Sequence, residues 1–213
     1  MSRGSEAAAP SSARTLLLAT GNRGKVAELA ELLAPFGLAL RSLAEAPGVE
    51  LPPEGDDYAK NAAAKAAVAA RATGLVALGD DSGIEVAALG GAPGPRSARY
   101  GGPGLDDAGR AARLLAALAE SGSPDRRARF VCVAALATPD GTVSLVHGEC
   151  HGRILAAPRG AGGFGYDPVF QPEGDDASMA ELPAERKNRI SHRGRAIAAL
   201  APALARAFAS NQA

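Results

Sequence analysis

The sequence predicts an α/β fold built on one long mixed β-sheet flanked by helices. Strand-like apolar runs alternate with amphipathic helical segments early in the chain, which is typical of parallel strands joined by helical crossovers. A β-hairpin signal later in the chain adds antiparallel strands to the sheet. No internal repeat and no convincing linker divides the chain, so we expect a single domain over residues 14–213.

The first half of the chain alternates strand and helix signals. Residues 15–19 form a short apolar run that enters a loop at 20–24, which predicts a buried strand. From Lys25 onward, apolar residues recur at helical spacing until Gly37 ends the helix. The next predicted elements are a strand at 38–43, a Pro-rich acidic loop at 47–57, a helix at 58–72, a strand at 75–78, a loop at 79–83, a short strand at 84–89 and a long Gly/Pro-rich loop at 90–104.

The second half of the chain begins with a predicted helix at 105–118. Strand candidates at 128–137 and 142–150 flank the turn Thr138-Pro139-Asp140-Gly141, which is a clear hairpin signal. Residues 157–176 are expected to be mostly loop. Ser191 is the expected N-cap of a last helix that runs to about Ala209.

Composition and charge exclude several classes of protein. The 23 basic and 23 acidic side chains give a formal net charge of zero, whereas a general nucleic-acid binder needs a basic excess to meet phosphates. No apolar run reaches the ~18 to 20 residues of a membrane span. Residues 1–13 lack the apolar centre of a signal peptide and predict a disordered tail. Two separated cysteines without a C-x-x-C motif fit a reducing cytoplasm and argue against a zinc site.

A glycine-containing loop lies between the first predicted strand and the first predicted helix. It reads Thr20-Gly21-Asn22-Arg23-Gly24-Lys25. Backbone N–H groups at a helix N-terminus attract phosphate, and Lys25 adds a positive charge. The loop is not a Walker A motif, because Val26 follows Lys25 where that motif requires Ser or Thr. An ordinary strand-to-helix turn explains the same residues, so both interpretations stay open.

Two adjacent carboxylates, Asp80 and Asp81, stand before Ser82 at the end of a predicted strand. Adjacent carboxylates point to different sides, so one can bind a metal while the other orients a second group. Oxygen ligands favour Mg²⁺, which usually takes one or two carboxylates plus substrate phosphates and water. A carboxylate near the ion can also accept a proton from an attacking water. The alternative is a solvated turn, and the acidic loop from Glu54 to Asp57 is a source of a further ligand.

A second glycine-rich segment, Gly160 to Gly165, matches G-x-G-x-x-G. It is not a dinucleotide-binding fingerprint, because Pro168 disfavours the helix that must follow. Two aromatic residues in this segment, Phe164 and Tyr166, instead suggest a platform on which a base stacks. Burial of both rings in the core is the alternative.

The last charged segment runs from Glu185 to Arg195 and is rich in basic residues. A basic solvated helix start is one interpretation, although positive charge near a helix N-terminus is unfavourable. A nearby anionic or carbonyl group would offset that effect. His192 and Arg193 are candidate donors to a base carbonyl, and Lys187 is a candidate donor to a base or a phosphate.

Together and in this order, the motifs resemble those of the inosine/xanthosine triphosphate pyrophosphatase family, which hydrolyses noncanonical purine nucleoside triphosphates. The resemblance runs from about Leu16 to Leu200. The residues that carry it are Ala19-Thr20-Gly21-Asn22 with Lys25 and Glu28, Asn61-Ala62 with Lys65-Ala66, Asp80-Asp81-Ser82-Gly83, Leu89-Gly90-Gly91-Ala92-Pro93-Gly94, Ser97-Ala98-Arg99-Tyr100, Gly163-Phe164-Gly165-Tyr166-Asp167-Pro168, Ala180-Glu181-Leu182, and Lys187-Asn188 before Ile190-Ser191-His192-Arg193.

The resemblance implies an active-site cleft between two lobes, a homodimer, and a nucleoside triphosphate substrate hydrolysed with Mg²⁺ to a monophosphate and pyrophosphate. It implies that Asp81 is the proton acceptor and a metal ligand, that Ser82 contacts the substrate and that Lys65 contacts phosphate. Glu54 is the best match for a second metal ligand, with Asp56 or Asp57 as alternatives. The residues implied to hold the triphosphate are Thr20, Gly21, Asn22, Arg23, Gly24 and Lys25, and those implied to form the base pocket are Phe164, Gly165, Tyr166, Asp167, Lys187, His192 and Arg193.

Three other functions are compatible with parts of the sequence. A Maf-like pyrophosphatase for pyrimidine or modified nucleotides is the nearest enzymatic alternative, and the segments around Phe164 and His192 argue against it. A non-catalytic nucleotide sensor is a second, and the intact Asp80-Asp81 pair argues against that. A nucleic-acid binder is a third, and the zero net charge argues against it.

The charged candidate residues also predict how positive and negative charge is arranged in the site. Three of the four lysines of the chain fall within the proposed site. We expect an acidic side suited to Mg²⁺, opposed to a basic side suited to phosphates and a keto base. The acidic side comprises Glu54, Asp56, Asp57, Asp80 and Asp81, and the basic side Lys25, Lys65, Lys187, His192 and Arg193.

Overall fold

A computed structural model describes residues 14–209, and the strands of this part of the chain form one mixed sheet. The sheet order is β2-β1-β3-β4-β5-β6. Strand β1 pairs in parallel with β2 and β3, and every later pairing is antiparallel. The predicted α/β class with a mixed sheet is therefore confirmed. The predicted tail at 1–13 lies outside the described residues.

The strands and helices have the following bounds. The strands are β1 (Thr15–Leu18), β2 (Ala39–Ser42), β3 (Val76–Val86), β4 (Arg127–Ala137), β5 (Val143–Ile154) and β6 (Phe170–Pro172). The helices are α1 (Arg23–Leu33), α2 (Tyr58–Thr73), α3 (Asp107–Glu120), α4 (Ala184–Ile190) and α5 (His192–Ala209). Within residues 14–209, no helix is long and apolar enough to cross a membrane.

Strand β3 is continuous where the sequence predicted two short strands and a loop at 79–83, so that prediction was wrong. Asp80 lies opposite Ala134 of β4, and Asp81 lies opposite Val133, so the ladder runs through both carboxylates. Sheet pairing and buried side-chain partners overcome the turn preference of Asp, Ser and Gly here. Gly79 also permits the close approach of α2, because a Cβ atom there would lie 2.3 Å from the backbone oxygen of Ala62.

Two further elements lie in segments for which no separate strand or helix was predicted. Strand β6 falls inside the predicted loop 157–176 and is only a three-residue edge strand paired with the end of β5. Helix α4 has seven residues and is the shortest of the five α-helices within residues 14–209. Such short segments carry little periodicity. The N-cap prediction for Ser191 is confirmed, because its Oγ accepts the N–H of Gly194 at 3.0 Å at the start of α5.

Helices cover both faces of the sheet. On one face, α1 and α5 pack on the strands through Leu29, Ile197 and Leu200. On the other face, the small side chains of the alanine-rich α2 let it pack closely on β1, β3 and β4. A separate apolar cluster surrounds the far ends of β3 and β4 and contains Ile84, Phe130 and residues of α3. These cores form two lobes, and the cleft between them crosses β3 at Ser82 and Gly83.

Candidate functional site

A cavity of about 210 Å³ occupies the cleft between the two lobes. Its walls bring together the start of α1, the middle of β3, the start of α3, the loop at 164–167 and the start of α5. These segments are far apart in sequence, and the sheet brings them together. More than half of the sequence-predicted site residues line this cavity, and Lys187 contacts the lining residue Asp167. Asp81, Lys65 and Glu54 are outside the cavity wall, and the lysine contacts both carboxylates.

The loop at 20–25 forms the N-terminal cap of α1. Asn22 Oδ1 accepts the backbone N–H of Lys25 at 3.0 Å, and Thr20 Oγ1 accepts that of Asn22 at 3.2 Å. Gly24 is required by packing, because a Cβ atom there would lie 2.7 Å from the Phe164 ring. Gly21 and Arg23 are exposed and lie outside the cavity wall, whereas Asn22 and Lys25 line it.

Asp80 is a buried carboxylate that holds two cations of the cleft, Lys25 and Arg193. Its carboxylate accepts hydrogen bonds from Arg193 Nε at 2.9 Å and Ser82 Oγ at 2.8 Å, and it pairs with Lys25. Cys132 Sγ on β4 donates to the same carboxylate at 3.2 Å. Burial opposes ionisation, but the charges of Arg193 and Lys25 outweigh it and hold the pKa of Asp80 well below 3.8. Asp80 is therefore ionised at neutral pH and holds these cations in place.

Asp81 faces the opposite side of the sheet, towards α2. Asn61 Nδ2 donates to Asp81 Oδ2 at 2.7 Å, and Lys65 Nζ lies 3.7 Å from Oδ1. Burial raises the pKa of Asp81 above 3.8, although Lys65 and Asn61 oppose that rise. The two neighbouring carboxylates thus have pKa values shifted in opposite directions, which is a pattern that separates a proton acceptor from a charge anchor.

Glu54 and Asp81 are the carboxylates best placed to hold a divalent cation. Both contact the ammonium of Lys65, with Glu54 Oε1 at 2.7 Å from Nζ. The described residues contain no cluster of three or more His, Cys, Asp and Glu side chains able to bind a metal. Two carboxylates still fit Mg²⁺, because phosphate and water oxygens usually complete its coordination. Asp56 instead pairs with Arg96 at 2.6 Å, and Asp57 caps α2.

The two aromatic residues of the glycine-rich loop behave differently. Phe164 lines the cavity, and its ring lies 5.4 Å from Lys187 Nζ and 5.6 Å from Arg193 Cζ. Tyr166 is 5% exposed, belongs to the core of the second lobe and donates its hydroxyl to the backbone oxygen of Ser97 at 2.9 Å. Phe164 is therefore the ring available to a ligand, while Tyr166 is a fixed part of the wall.

Lys187 and Arg193 are held by carboxylates of the protein. Lys187 Nζ lies 2.5 Å from both Glu28 Oε1 and Asp167 Oδ2. Arg193 is 2% exposed, and its guanidinium binds Asp80, Glu28 and Ser82 Oγ. The expectation of an acidic side opposed to a basic side is therefore wrong. The charges alternate, because a buried charge needs an opposite partner close by.

His192 is the neutral group of the cavity. Its ring stacks on Phe130 with a centroid separation of 4.7 Å and an interplanar angle of 11°. Burial, assisted by the charge of Arg193, holds the pKa of His192 well below 6.5. Its Nδ1 atom is buried and has no hydrogen-bond partner within residues 14–209. Because His192 lines the cavity, its neutral imidazole is able to donate a hydrogen bond to a ligand or accept one from it.

Sequence reasoning assigned no role to several residues that build the site. Glu28 bridges Lys187 and Arg193, Asn61 holds Asp81, and Phe130 supports His192. The signal for Glu28 is its place three residues after Lys25 on the same face of α1. The signal for Asn61 is likewise helical spacing, because it lies four residues before Lys65 on α2. Phe130 has no such signal, because it resembles any core residue of a strand.

The fold and the site define a class of α/β protein whose cleft accepts a small anionic ligand that carries a ring, such as a nucleotide. Paired cations, an available aromatic ring and two carboxylates beside Lys65 are the basis for that class. The chain belongs to the Ham1 family, whose family model matches residues 16–203. This match confirms the family resemblance seen in the motifs.

Individual relatives are similar over most of their length. A protein of Desulforamulus reducens named dITP/XTP pyrophosphatase is 50% identical over 183 residues, which are 85% of this chain and 91% of the relative. A protein of the same name from Deinococcus radiodurans is 51% identical over 88% of this chain and 91% of its own. The solved structure of a HAM1 protein from Coxiella burnetii superposes with a TM-score of 0.82 and 40% identity, over 91% of this chain and 100% of that one.

Proposed function

We propose that this protein hydrolyses noncanonical purine nucleoside triphosphates (ITP, dITP and XTP) to the monophosphate and pyrophosphate, and so removes them from the nucleotide pool. The relatives named dITP/XTP pyrophosphatase support the substrate class. The observation that carries the proposal is the pair of buried carboxylates on β3. Asp80 holds the cations of the cleft, and Asp81 faces Glu54 and Lys65 on the other side of the strand.

Asp81 has the position and the environment of a general base in this reaction. Its carboxylate accepts the proton of the water that attacks phosphorus, and burial supports this role by raising its pKa. Asn61 orients the carboxylate by donating to Oδ2. Lys25 and Lys65 are assigned to the triphosphate, whose oxygens would compete for their ammonium groups. A bound Mg²⁺, held by Asp81 and Glu54, would neutralise the triphosphate and stabilise the leaving pyrophosphate.

His192 and Phe164 are assigned to the purine base. The base stacks on the exposed face of Phe164, and His192 donates to the carbonyl oxygen at C6 of hypoxanthine or xanthine. Arg193 supports this arrangement by fixing Asp80 and Ser82. Adenine presents an amino group at C6, so the His192 tautomer that donates to a carbonyl oxygen would face another donor. Sites of this kind reject the wrong ligand by ~10⁴-fold, because buried polar groups go unpaired.

The proposal also covers the location, the oligomeric state and the cofactor of the enzyme. We place it in the cytoplasm, where its nucleotide substrates occur, as a single-domain homodimer like the family that it resembles. Mg²⁺ is the proposed cofactor, and no nucleic acid or membrane takes part in the proposed reaction.

A panel of nucleoside triphosphates tests the proposed function. We expect pyrophosphate release from ITP, dITP and XTP with Mg²⁺, little release from ATP or GTP, and none after chelation. Phosphate detection with and without added inorganic pyrophosphatase distinguishes release of pyrophosphate from release of single phosphates. Comparable rates with ATP and ITP would contradict the proposal.

Substitution of Glu54 tests the second metal ligand. We expect Glu54→Gln to raise the Mg²⁺ concentration that gives half-maximal activity by about 10-fold or more, since one charged oxygen ligand is lost. A Mg²⁺ titration of pyrophosphate release at fixed ITP measures this shift. Asp56→Asn is the matched control, because it removes an exposed carboxylate of the same loop that pairs only with Arg96 among the described ion pairs. An equal shift in both variants would exclude the role of Glu54.

A further inference from the structure

Helix α3 contributes a guanidinium to the cavity that the proposed reaction does not use. Arg110 lines the cavity from the second lobe, whereas Lys25 and Arg193 reach it from elements of the first. Its ion pair is with Asp107, one helical turn earlier, at 3.5 Å between Nη1 and Oδ1. The Nε atom of Arg110 is buried and has no hydrogen-bond partner in the part of the chain that the structure describes. That atom is enclosed by protein, but the side chain as a whole is 20% exposed, and its terminal nitrogens make no described hydrogen bond, so they can donate to an acceptor supplied by a ligand.

Arg110 lies at the end of the cavity formed by the aromatic loop. Asp107 accepts the backbone N–H of Gly165 at 2.8 Å, and Gly165 follows the cavity-lining Phe164. The same Asp107 therefore contacts both Arg110 and the loop segment that is assigned to the base. Lys187 and Arg193 have their donors bound by carboxylates. Arg110 differs from them because its side chain is 20% exposed and its described ion pair, with Asp107, is the looser contact at 3.5 Å.

The chemistry of arginine limits what this donor can recognise. A guanidinium has five N–H donors and no acceptor, so it favours a carbonyl oxygen and disfavours an amino group. Three purine bases differ at C2 in this respect, since xanthine carries a carbonyl oxygen there, guanine an amino group and hypoxanthine only hydrogen. A donor at this edge of the base would therefore bind xanthine most tightly, hypoxanthine less tightly and guanine least.

We propose that Arg110 is a specificity-determining residue that donates a hydrogen bond to the C2 carbonyl oxygen of xanthine. His192 recognises the C6 carbonyl from α5, and Arg110 recognises the second carbonyl from α3. The pair selects XTP over ITP, and Arg110 leaves the amino group of guanine facing a donor. This inference rests on the proposed function and names the residue that distinguishes purine bases by their substituent at C2.

Arg110→Ala tests the inference, with Arg113→Ala as the matched control. Arg113 is on the same helix, is 44% exposed and pairs with Glu120 at 3.2 Å, outside the cavity wall. We expect Arg110→Ala to lower the ratio of kcat/KM for XTP to kcat/KM for ITP by about 10-fold or more, since a hydrogen bond from a charged donor is lost. Arg113→Ala should keep the wild-type ratio. Arg110→Lys, which retains a charged donor, should lose less of the ratio than Arg110→Ala.

Calorimetric titration with the monophosphates of xanthosine and inosine provides a readout besides activity. We expect the wild-type preference for xanthosine monophosphate to disappear in Arg110→Ala. Equal losses for the two bases, in kinetics and in binding, would overturn the inference and make Arg110 a general support of the cavity. If the wild type releases no pyrophosphate from any triphosphate, the proposed function fails. The monophosphate binding ratio then decides the role of Arg110 by itself.

Discussion

Asp81→Asn is expected to lower the turnover number for ITP by about 10²- to 10⁴-fold. The amide keeps the size of the side chain but can neither accept the proton of the attacking water nor contribute negative charge to a bound cation. Its carbonyl oxygen can still accept the hydrogen bond from Asn61 Nδ2 that Asp81 accepts at 2.7 Å. The site should therefore stay folded while the chemical step slows. Steady-state pyrophosphate release at saturating ITP and Mg²⁺ measures the effect.

Asp56→Asn also serves as the control for this substitution. It makes the same chemical change in an exposed carboxylate that pairs with Arg96. We expect it to keep wild-type turnover. Thermal unfolding of both variants distinguishes a catalytic loss from a folding defect. Near-normal turnover in Asp81→Asn would refute the role of Asp81 and, with it, the proposed mechanism.

Asp80→Asn is expected to lower the free energy of unfolding by about 3 kcal/mol or more at neutral pH. Asp80 is 1% exposed and Arg193 is 2% exposed, so the substitution removes one charge from a fully buried pair. Lys25 loses the same partner. Glu28 remains beside Arg193 but must also serve Lys187. Urea unfolding of the wild type and the variant at pH 7 measures the difference.

The difference in the free energy of unfolding between the wild type and Asp80→Asn should depend on pH in one direction. The charges around Asp80 hold its folded-state pKa well below 3.8, so the unfolded chain binds a proton more readily. Its contribution to stability is complete above the unfolded pKa and is lost as the pH falls through the folded value. The gap between wild type and Asp80→Asn should therefore be constant near neutrality and shrink in acid.

Asp125→Asn is the control for charge removal at the surface. Asp125 pairs with the exposed Arg127 at 2.7 Å, and solvent screens such a pair. We expect only a small change in stability, because water can solvate the remaining charge. A similar loss in both variants, or no loss in Asp80→Asn, would show that the buried network does not depend on Asp80.

Local patterns in the sequence predicted the α/β class, the long helices, the hairpin and the N-cap Ser191. They also located the segments that form the site, because glycine-containing loops before helices, adjacent carboxylates and aromatic residues in glycine-rich loops are local features. The match of residues 16–203 to the Ham1 family confirms the resemblance that these motifs indicated. Such features depend on neighbours within one or two turns of chain, which is the range over which propensity and periodicity act.

Tertiary contacts decided the arrangement of charge and the roles of single side chains. The continuity of β3 through Asp80 and Asp81 depends on β4, more than 50 residues away. Phe164 and Tyr166 are two residues apart, yet Tyr166 is buried in the second lobe with its hydroxyl bonded to Ser97, whereas Phe164 lies beside Lys187 at the cavity. The partners of Lys187 and Arg193, and the unpaired donor of Arg110, likewise depend on which helices meet across the cleft. The partner of a buried charge is set by the element that packs against it. The spacing of residues along the sequence does not show which element that is.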